Sequence, residues 1–161
     1  MLEAIKWPIS VISIAGGYRQ GKSFLLNRLL LRIKKGFDVG GTINACTKGV
    51  WVWSQVLQVE YNGKPINLLV TDTEGLASIN AGQSHNLKIF TLAILTSSHF
   101  IYNSMRTIDE DAINKLSMCV KLAKDLRGKS GALNASDFEK LMPYFTWVVR
   151  DFSLELQNEE G

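Results

Sequence analysis

Short apolar, β-branched runs alternate along this chain with stretches whose apolar residues recur at helical spacing. "ISVISIA" (Ile9 to Ala15) predicts a buried strand that meets glycine at once. "KSFLLNRLLLRIKK", from Lys22 to Lys35, has helix formers and no breaker, so a helix is expected to begin within the preceding loop. "GFDVGGTINACTKG" (Gly36 to Gly49) has no period and reads as a loop long enough to carry function. "VWVWSQVLQVEY" (Val50 to Tyr61) predicts one strand. Asn62-Gly63 is a hairpin-turn signal, and "INLLVTD" (Ile66 to Asp72) is its antiparallel partner. After a second loop, "TEGLASINAGQSH", a helix is expected over 86–96 and a strand over His99 to Asn103. Asp109 to Leu126 has acids first, a lysine near the end and helical apolar spacing, and so predicts a helix. "GKSGALNAS" reads as a loop, with Ser136 or Asp137 capping a short helix. "YFTWVV" (Tyr144 to Val149) is a last strand ending at Arg150-Asp151. No repeat or linker interrupts the series. Strands alternating with helices indicate an α/β fold, with a mostly parallel sheet and one antiparallel hairpin.

The bulk numbers narrow the class. A chain of 161 residues suits one domain with a real core. Hydrophobic residues at 46% and charged residues at 20% are an ordinary globular balance. The net charge of +3 is too mild, and the basic residues too scattered, to argue for nucleic acid. Cys46 and Cys119 form no CxxC and read as reduced thiols. His85 and His99 have no partner at metal-ligand spacing and read as structural or surface residues. "MLEAIKWP" has no cationic region followed by an apolar run, so no signal peptide is seen. The most apolar window, Ile89 to Leu95, is too short to span a bilayer.

Four motifs carry chemistry. Gly16-x-x-x-x-Gly21-Lys22-Ser23 is a complete phosphate-loop pattern, set between a predicted strand and a predicted helix. Its glycines let backbone N–H groups wind inward, and the helix N-terminus adds partial positive charge. Lys22 can reach β- and γ-phosphates, and the Ser23 hydroxyl can ligate Mg²⁺. In "VTDTEGL", Asp72 at a strand end can hold Mg²⁺ through water, and Gly75 can offer its N–H to a γ-phosphate. Thr47, in the loop before the hairpin, can complete Mg²⁺ coordination as switch loops do. At the last strand's end, a carboxylate can read a base. Guanine offers two adjacent donors, N1–H and the 2-amino group, and leaving such a site unpaired can cost roughly 10⁴-fold in discrimination. By spacing alone, Arg150-Asp151 equally fits a surface ion pair.

Together, "GGYRQGKSFLLNRLL", "KKGFDVGGTINACTKGVWVW", "TDTEGL", "LTSSHFIYNSMRTID" and "FTWVVRDFSLEL" resemble the guanylate-binding protein family of large GTPases, related to dynamins and atlastins. The resemblance covers nearly the whole chain and implies a phosphate-loop NTPase fold of three layers, α/β/α, with 1–161 as the N-terminal part of a GTPase domain. It maps the guanine-reading carboxylate onto Asp151 and the switch threonine onto Thr47. The nucleotide-binding set it implies is Gly16, Gly17, Tyr18, Arg19, Gln20, Gly21, Lys22 and Ser23, then Val39, Gly40 and Gly41, then Asp72, Thr73, Glu74, Gly75 and Leu76, and finally Arg150 and Asp151. The catalytic set is Arg19, Lys22 and Thr47, and the Mg²⁺ set is Ser23, Thr47 and Asp72.

The resemblance also gives Arg19 a role, an arginine finger supplied in cis and aimed when two GTP domains dimerise face to face. Such a finger is worth about 10³–10⁵ in rate. Two departures bear on activity. Ala45 and Cys46 stand where active relatives carry Ser-His before the switch threonine, so no hydroxyl orients the attacking water. The sequence stops at Gly161, before the expected guanine-covering loop and without a prenylation box, so a partial GTP domain is expected. A cytoplasmic protein is expected, in an immune-defence or membrane-remodelling setting, with membrane contact only through other segments. The alternatives are a weakly active or inactive guanine-nucleotide-binding or dimerisation module, and an ATP-using phosphate-loop enzyme such as a small kinase, against which "WVVRDFSLEL" argues.

Overall fold

The computed structural model describes residues 8–39, 47, 49–75, 83–128 and 142–153. Its centre is β1 (Ile9–Gly16), flanked in parallel by β4 (Lys64–Thr73) and β5 (His99–Met105). Beyond β5, β6 (Tyr144–Arg150) adds in parallel. On the far side of β4, β2 (Val50–Val52) and β3 (Leu57–Tyr61) pair antiparallel. The chain leaves β1 for β4 on one side and β5 on the other, so β1 marks the point where the strand order reverses. Ligands of open α/β sheets bind outside the carboxyl ends of the strands at such a point.

Alternation along β1 builds two cores. Ile14 faces one side of the sheet, packing with Leu25, Leu26, Phe37, Leu68 and Val70. Ala15 faces the other, with Phe90, Ala93, Ile94, Phe100 and Tyr102. The first core lies under α1 (Lys22–Leu25) and its π-helical continuation Leu26–Leu30. The second lies under α2 (Gln83–Thr96) and α3 (Glu110–Gly128). Phe90 sets its ring edge-on to Phe100 at 5.2 Å and Tyr102 at 5.8 Å, a favoured aromatic geometry. The result is the three-layer, mostly parallel fold expected. Asp109 caps α3, its Oδ1 accepting the Ala112 N–H at 2.7 Å.

Two expectations are corrected. The first helix ends at Leu30 rather than Lys35. Arg32 takes a left-handed conformation with φ 55°, and the Ile33 N–H turns back to the Asn27 carbonyl at 2.9 Å. The side chain of buried Asn27 then captures both backbone groups of Phe37, donating from Nδ2 to its carbonyl and accepting its N–H on Oδ1, each at 2.8 Å. Nor is Val50–Tyr61 one strand. Val52 pairs with Thr71 and Leu57 with Leu68, so four residues face two, and the chain bulges between. Trp53 keeps the ladder by donating its N–H to Val70 and turns its ring onto Phe37, 5.5 Å away. The expected hairpin turn is present, with Asn62 and Gly63 both at positive φ. The expected cap at Ser136 or Asp137 lies outside the described residues.

Asn27→Ala leaves a buried N–H and a buried carbonyl of Phe37 without their partner. Denaturant unfolding is expected to show a loss of about 2–4 kcal/mol, against a change near zero for substitution of the exposed Leu29.

Candidate functional site

The loop from Gly16 to Ser23 joins the end of β1 to α1. Gly21 sits at φ 77°, a backbone that favours glycine, and a methyl group there would lie 2.0 Å from the Arg150 guanidinium and push it aside. Inside the loop, the Gly17 N–H donates to Gln20 Oε1 at 2.8 Å. Lys22 is 6% exposed and donates from Nζ to the Gly17 carbonyl at 3.0 Å. Burial lowers its pKa to about 8, against the pull of Asp72 and then Glu74. Arg19 stands on the exposed outer turn with φ 57°.

Opposite Lys22, three oxygens converge. Asp72 is fully buried at the end of β4, where Ile14 of β1 pairs with it. Its Oδ2 accepts from the Ser23 hydroxyl at 2.5 Å and from the Thr47 hydroxyl at 3.3 Å. Its Oδ1 accepts the Thr73 N–H at 3.0 Å. Burial raises the carboxyl's pKa, and the Ser23 hydroxyl, the Lys22 charge and the Thr47 hydroxyl oppose that rise. The residues singled out for a cation therefore meet at one carboxylate oxygen. Two hydroxyls and one carboxylate suit a hard divalent ion that keeps waters and takes its other ligands from a substrate's phosphates. Among the described residues no group of three or more His, Cys, Asp or Glu could hold a metal.

Behind this cluster, Gly75 passes so close to the loop that a methyl group there would lie 2.5 Å from the Tyr18 Cα and 3.1 Å from Lys22 Nζ. Glu74 and Gly49 exchange hydrogen bonds, the Glu74 N–H to the Gly49 carbonyl at 2.8 Å and the Gly49 N–H to Glu74 Oε2 at 3.0 Å. His85 Nε2 lies 3.4 Å from the same Glu74 oxygen. The segments after Thr47 and after Asp72 are thus tied to each other beside the loop.

The remaining candidates are dispersed. The Thr73 hydroxyl is buried and donates to the Ile14 carbonyl at 2.8 Å, which binds β4 to β1. Val39 is exposed at the end of the segment held by Asn27. Arg150 reaches inward to the loop, donating from Nη1 to the Gln20 carbonyl at 3.1 Å, while Asp151 lies exposed just past β6 with φ 52°. Gly40, Gly41 and Leu76 lie outside the described residues, as do Ala45 and Cys46. Sequence reasoning passed over Asn103 and Asn27, and read His85 as a structural or surface residue. The first had a signal, as a polar residue closing an otherwise apolar strand. His99 is a surface contact, 2.8 Å from the Thr146 hydroxyl. Cys119 is buried and unpaired, and burial pushes its thiol up to about 11.

The model of the guanylate-binding protein N-terminal domain matches residues 1–161. The chain belongs to the guanylate-binding protein family. It is 43% identical to guanylate-binding protein 2 of Homo sapiens over 164 residues, 98% of this chain and 27% of that protein. It is 41% identical to guanylate-binding protein 1 of Homo sapiens, with 98% and 27% covered, and 43% identical to guanylate-binding protein 3 of Mus musculus, with 98% and 26% covered. The chain thus spans about a quarter of the length of these relatives. Membership of the guanylate-binding family agrees with a phosphate loop at the switch point of a mostly parallel sheet.

The Lys22 pKa of about 8 lies below the lysine value of 10.5, so between them the unfolded chain holds a proton that the native chain has released. Native stability therefore gains as pH rises through that window, and at pH 7 the buried charge is a net cost. Lys22→Met keeps the stem and removes the charge. Asp72, losing an attractive neighbour, moves further toward its neutral form. Thermal unfolding without ligand is expected to give the variant a higher Tm than the parent at pH 7, with the difference shrinking toward pH 10.

Proposed function

We propose that residues 1–161 are the N-terminal part of a GTPase domain that binds GTP and GDP with Mg²⁺ and hydrolyses GTP, with Arg19 as a finger supplied in cis. One observation carries the reading. Lys22, Ser23, Thr47 and Asp72 converge beside a phosphate loop, in a chain whose relatives are named for binding guanylate.

The roles follow from the chemistry. Lys22 exchanges the Gly17 carbonyl for the β- and γ-phosphates, whose negative charge raises its pKa again and holds its proton. Ser23, Thr47 and, through water, Asp72 are the residues that would hold Mg²⁺, and the ion would supply positive charge to those phosphates. Gly75, already against the loop, offers its N–H to the γ-phosphate. Asp151 accepts guanine N1–H and the 2-amino group. In hydrolysis, a water oxygen bonds to the γ-phosphorus as the bond to the bridging oxygen breaks, leaving GDP and phosphate. Charge builds on the bridging oxygen, and Arg19 is the group that compensates it. Two such domains meet with nucleotide bound. We place the protein in the cytoplasm, with membrane contact only through other parts of a longer protein. No nucleic-acid partner is proposed. Ala45 and Cys46 supply no hydroxyl to orient the water, which favours slow turnover and keeps a weakly active binding module as the second reading.

Competition of GTP and ATP for the parent tests the base assignment, and equal affinity would defeat it. Asp151→Asn presents one donor to guanine's two donors, and it is expected to bring the GTP-to-ATP affinity ratio down by at least tenfold, in line with a lost charged hydrogen bond.

Arg19→Ala is expected to lower kcat by about 10³-fold or more while changing affinity little, because the finger acts on charge present in the transition state. Single-turnover rates measured over a range of protein concentration check this. The parent's specific activity should rise with concentration and the variant's should stay flat. A parent with measurable turnover that Arg19→Ala leaves unchanged would remove the finger role.

A further inference from the structure

The Gln20 carbonyl is gripped from two strands at once. Asn103 Nδ2, at the end of β5, donates to it at 2.7 Å, and Arg150 Nη1, at the end of β6, donates at 3.1 Å. A carbonyl oxygen has two lone pairs and accepts both. Asn103 is fully buried, and its Oδ1 has no hydrogen-bond partner among the described residues. A buried amide with an unsatisfied oxygen is costly, so its single bond to Gln20 stands out. The Arg150 guanidinium lies 5.9 Å from the centre of the Phe24 ring, which gives it a second point of support on α1.

A trans peptide is planar, with its carbonyl and N–H on opposite sides. Holding the Gln20 oxygen toward β5 and β6 therefore fixes the Gly21 N–H to point away from them. Without that grip the plane is easily turned, because glycine follows it and tolerates most backbone angles. The other end of Gln20 is also engaged, its side chain accepting the Gly17 N–H. The carbonyl grip is thus the restraint on one N–H of a loop whose N–H groups face phosphates.

We propose that Asn103 and Arg150 are positioning residues that aim the phosphate loop through the Gln20 carbonyl, so that Arg150 acts on the phosphate end of the nucleotide and its neighbour Asp151 alone reads the base. This rests on the GTP-binding reading given above and divides the labour within it. The backbone supports the division, since Arg150 closes β6 while Asp151 lies past it in a left-handed turn.

The test is affinity of the parent, Arg150→Met, Arg150→Lys and Asn103→Ala for GTP, GDP, ATP and inosine triphosphate, which lacks the 2-amino group. Binding is read by displacement of a fluorescent GDP. Arg150→Met is expected to weaken all four by a common factor, roughly tenfold for a charged hydrogen bond, with the GTP-to-inosine ratio unchanged. Arg150→Lys should recover most of the loss, because an ammonium can donate to the same carbonyl. Asn103→Ala should repeat the uniform loss. A collapsed GTP-to-inosine ratio in Arg150→Met would overturn the proposal and make Arg150 a base reader. So would a uniform loss that Arg150→Lys does not recover, accompanied by an equal fall in the Tm of the nucleotide-free protein. A parent that binds no guanine nucleotide defeats the GTP-binding reading itself, and this proposal with it. A parent that binds, with the wrong pattern among variants, defeats this proposal alone.

Discussion

Lys22 and Asp72 are opposite charges withdrawn from water beside one another, and burial pushes each toward its neutral form despite their attraction. Two such groups stay together only where surrounding structure holds them. The registered pairing of Ile14 with Asp72 sets the depth of the carboxylate, and the turn at Gly21 sets the depth of the lysine. Hydroxyls of Ser23 and Thr47 and the N–H of Thr73 donate to the carboxylate's oxygens. Two apolar cores, one on each face of the sheet, supply the stability that such an arrangement draws down.

Local pattern accounts for what could be read in the sequence. The β1–loop–helix succession, the Asn62-Gly63 turn and Asp72 at a strand end each depend on neighbouring residues. The helix that stops at Leu30 does not. Its end is decided by Asn27 capturing Phe37 ten residues later, and Arg32 is no recognised breaker. The bulge at Trp53 is likewise decided by where that ring finds Phe37. The approach of Gly75 to Tyr18 joins segments far apart in the chain, as do the two bonds to Gln20. No periodicity reports such contacts. The family resemblance pointed to Arg150 as a nucleotide residue but carried no information on which way it faces.

The ends of the four parallel strands divide the work of holding one loop. β1 runs directly into it. β4 carries Asp72 next to its last residue, where it accepts the Ser23 hydroxyl, and the chain continues to Gly75 against Tyr18. β5 and β6 grip Gln20 from the other side. The loop is therefore stiff because its carbonyls and hydroxyls are tethered at both ends, even though its glycines alone would leave it loose.

That stiffness bears on why the loop carries two cations. Lys22 is held at depth, with its stem buried and its ammonium against Gly17, which on the GTPase reading suits it to charge that sits in one place. Charge that shifts outward as a bond breaks needs a cation that can follow it. Arg19 is exposed on the same turn, with a left-handed backbone that is uncommon for a side chain of that size. On the GTPase reading, a rigid loop and an exposed arginine are complementary. Bonds to the Gln20 carbonyl and the Ser23 hydroxyl fix the loop that would hold the phosphates, and the role proposed for Arg19 is to meet the charge of the transition state from the exposed side of that loop.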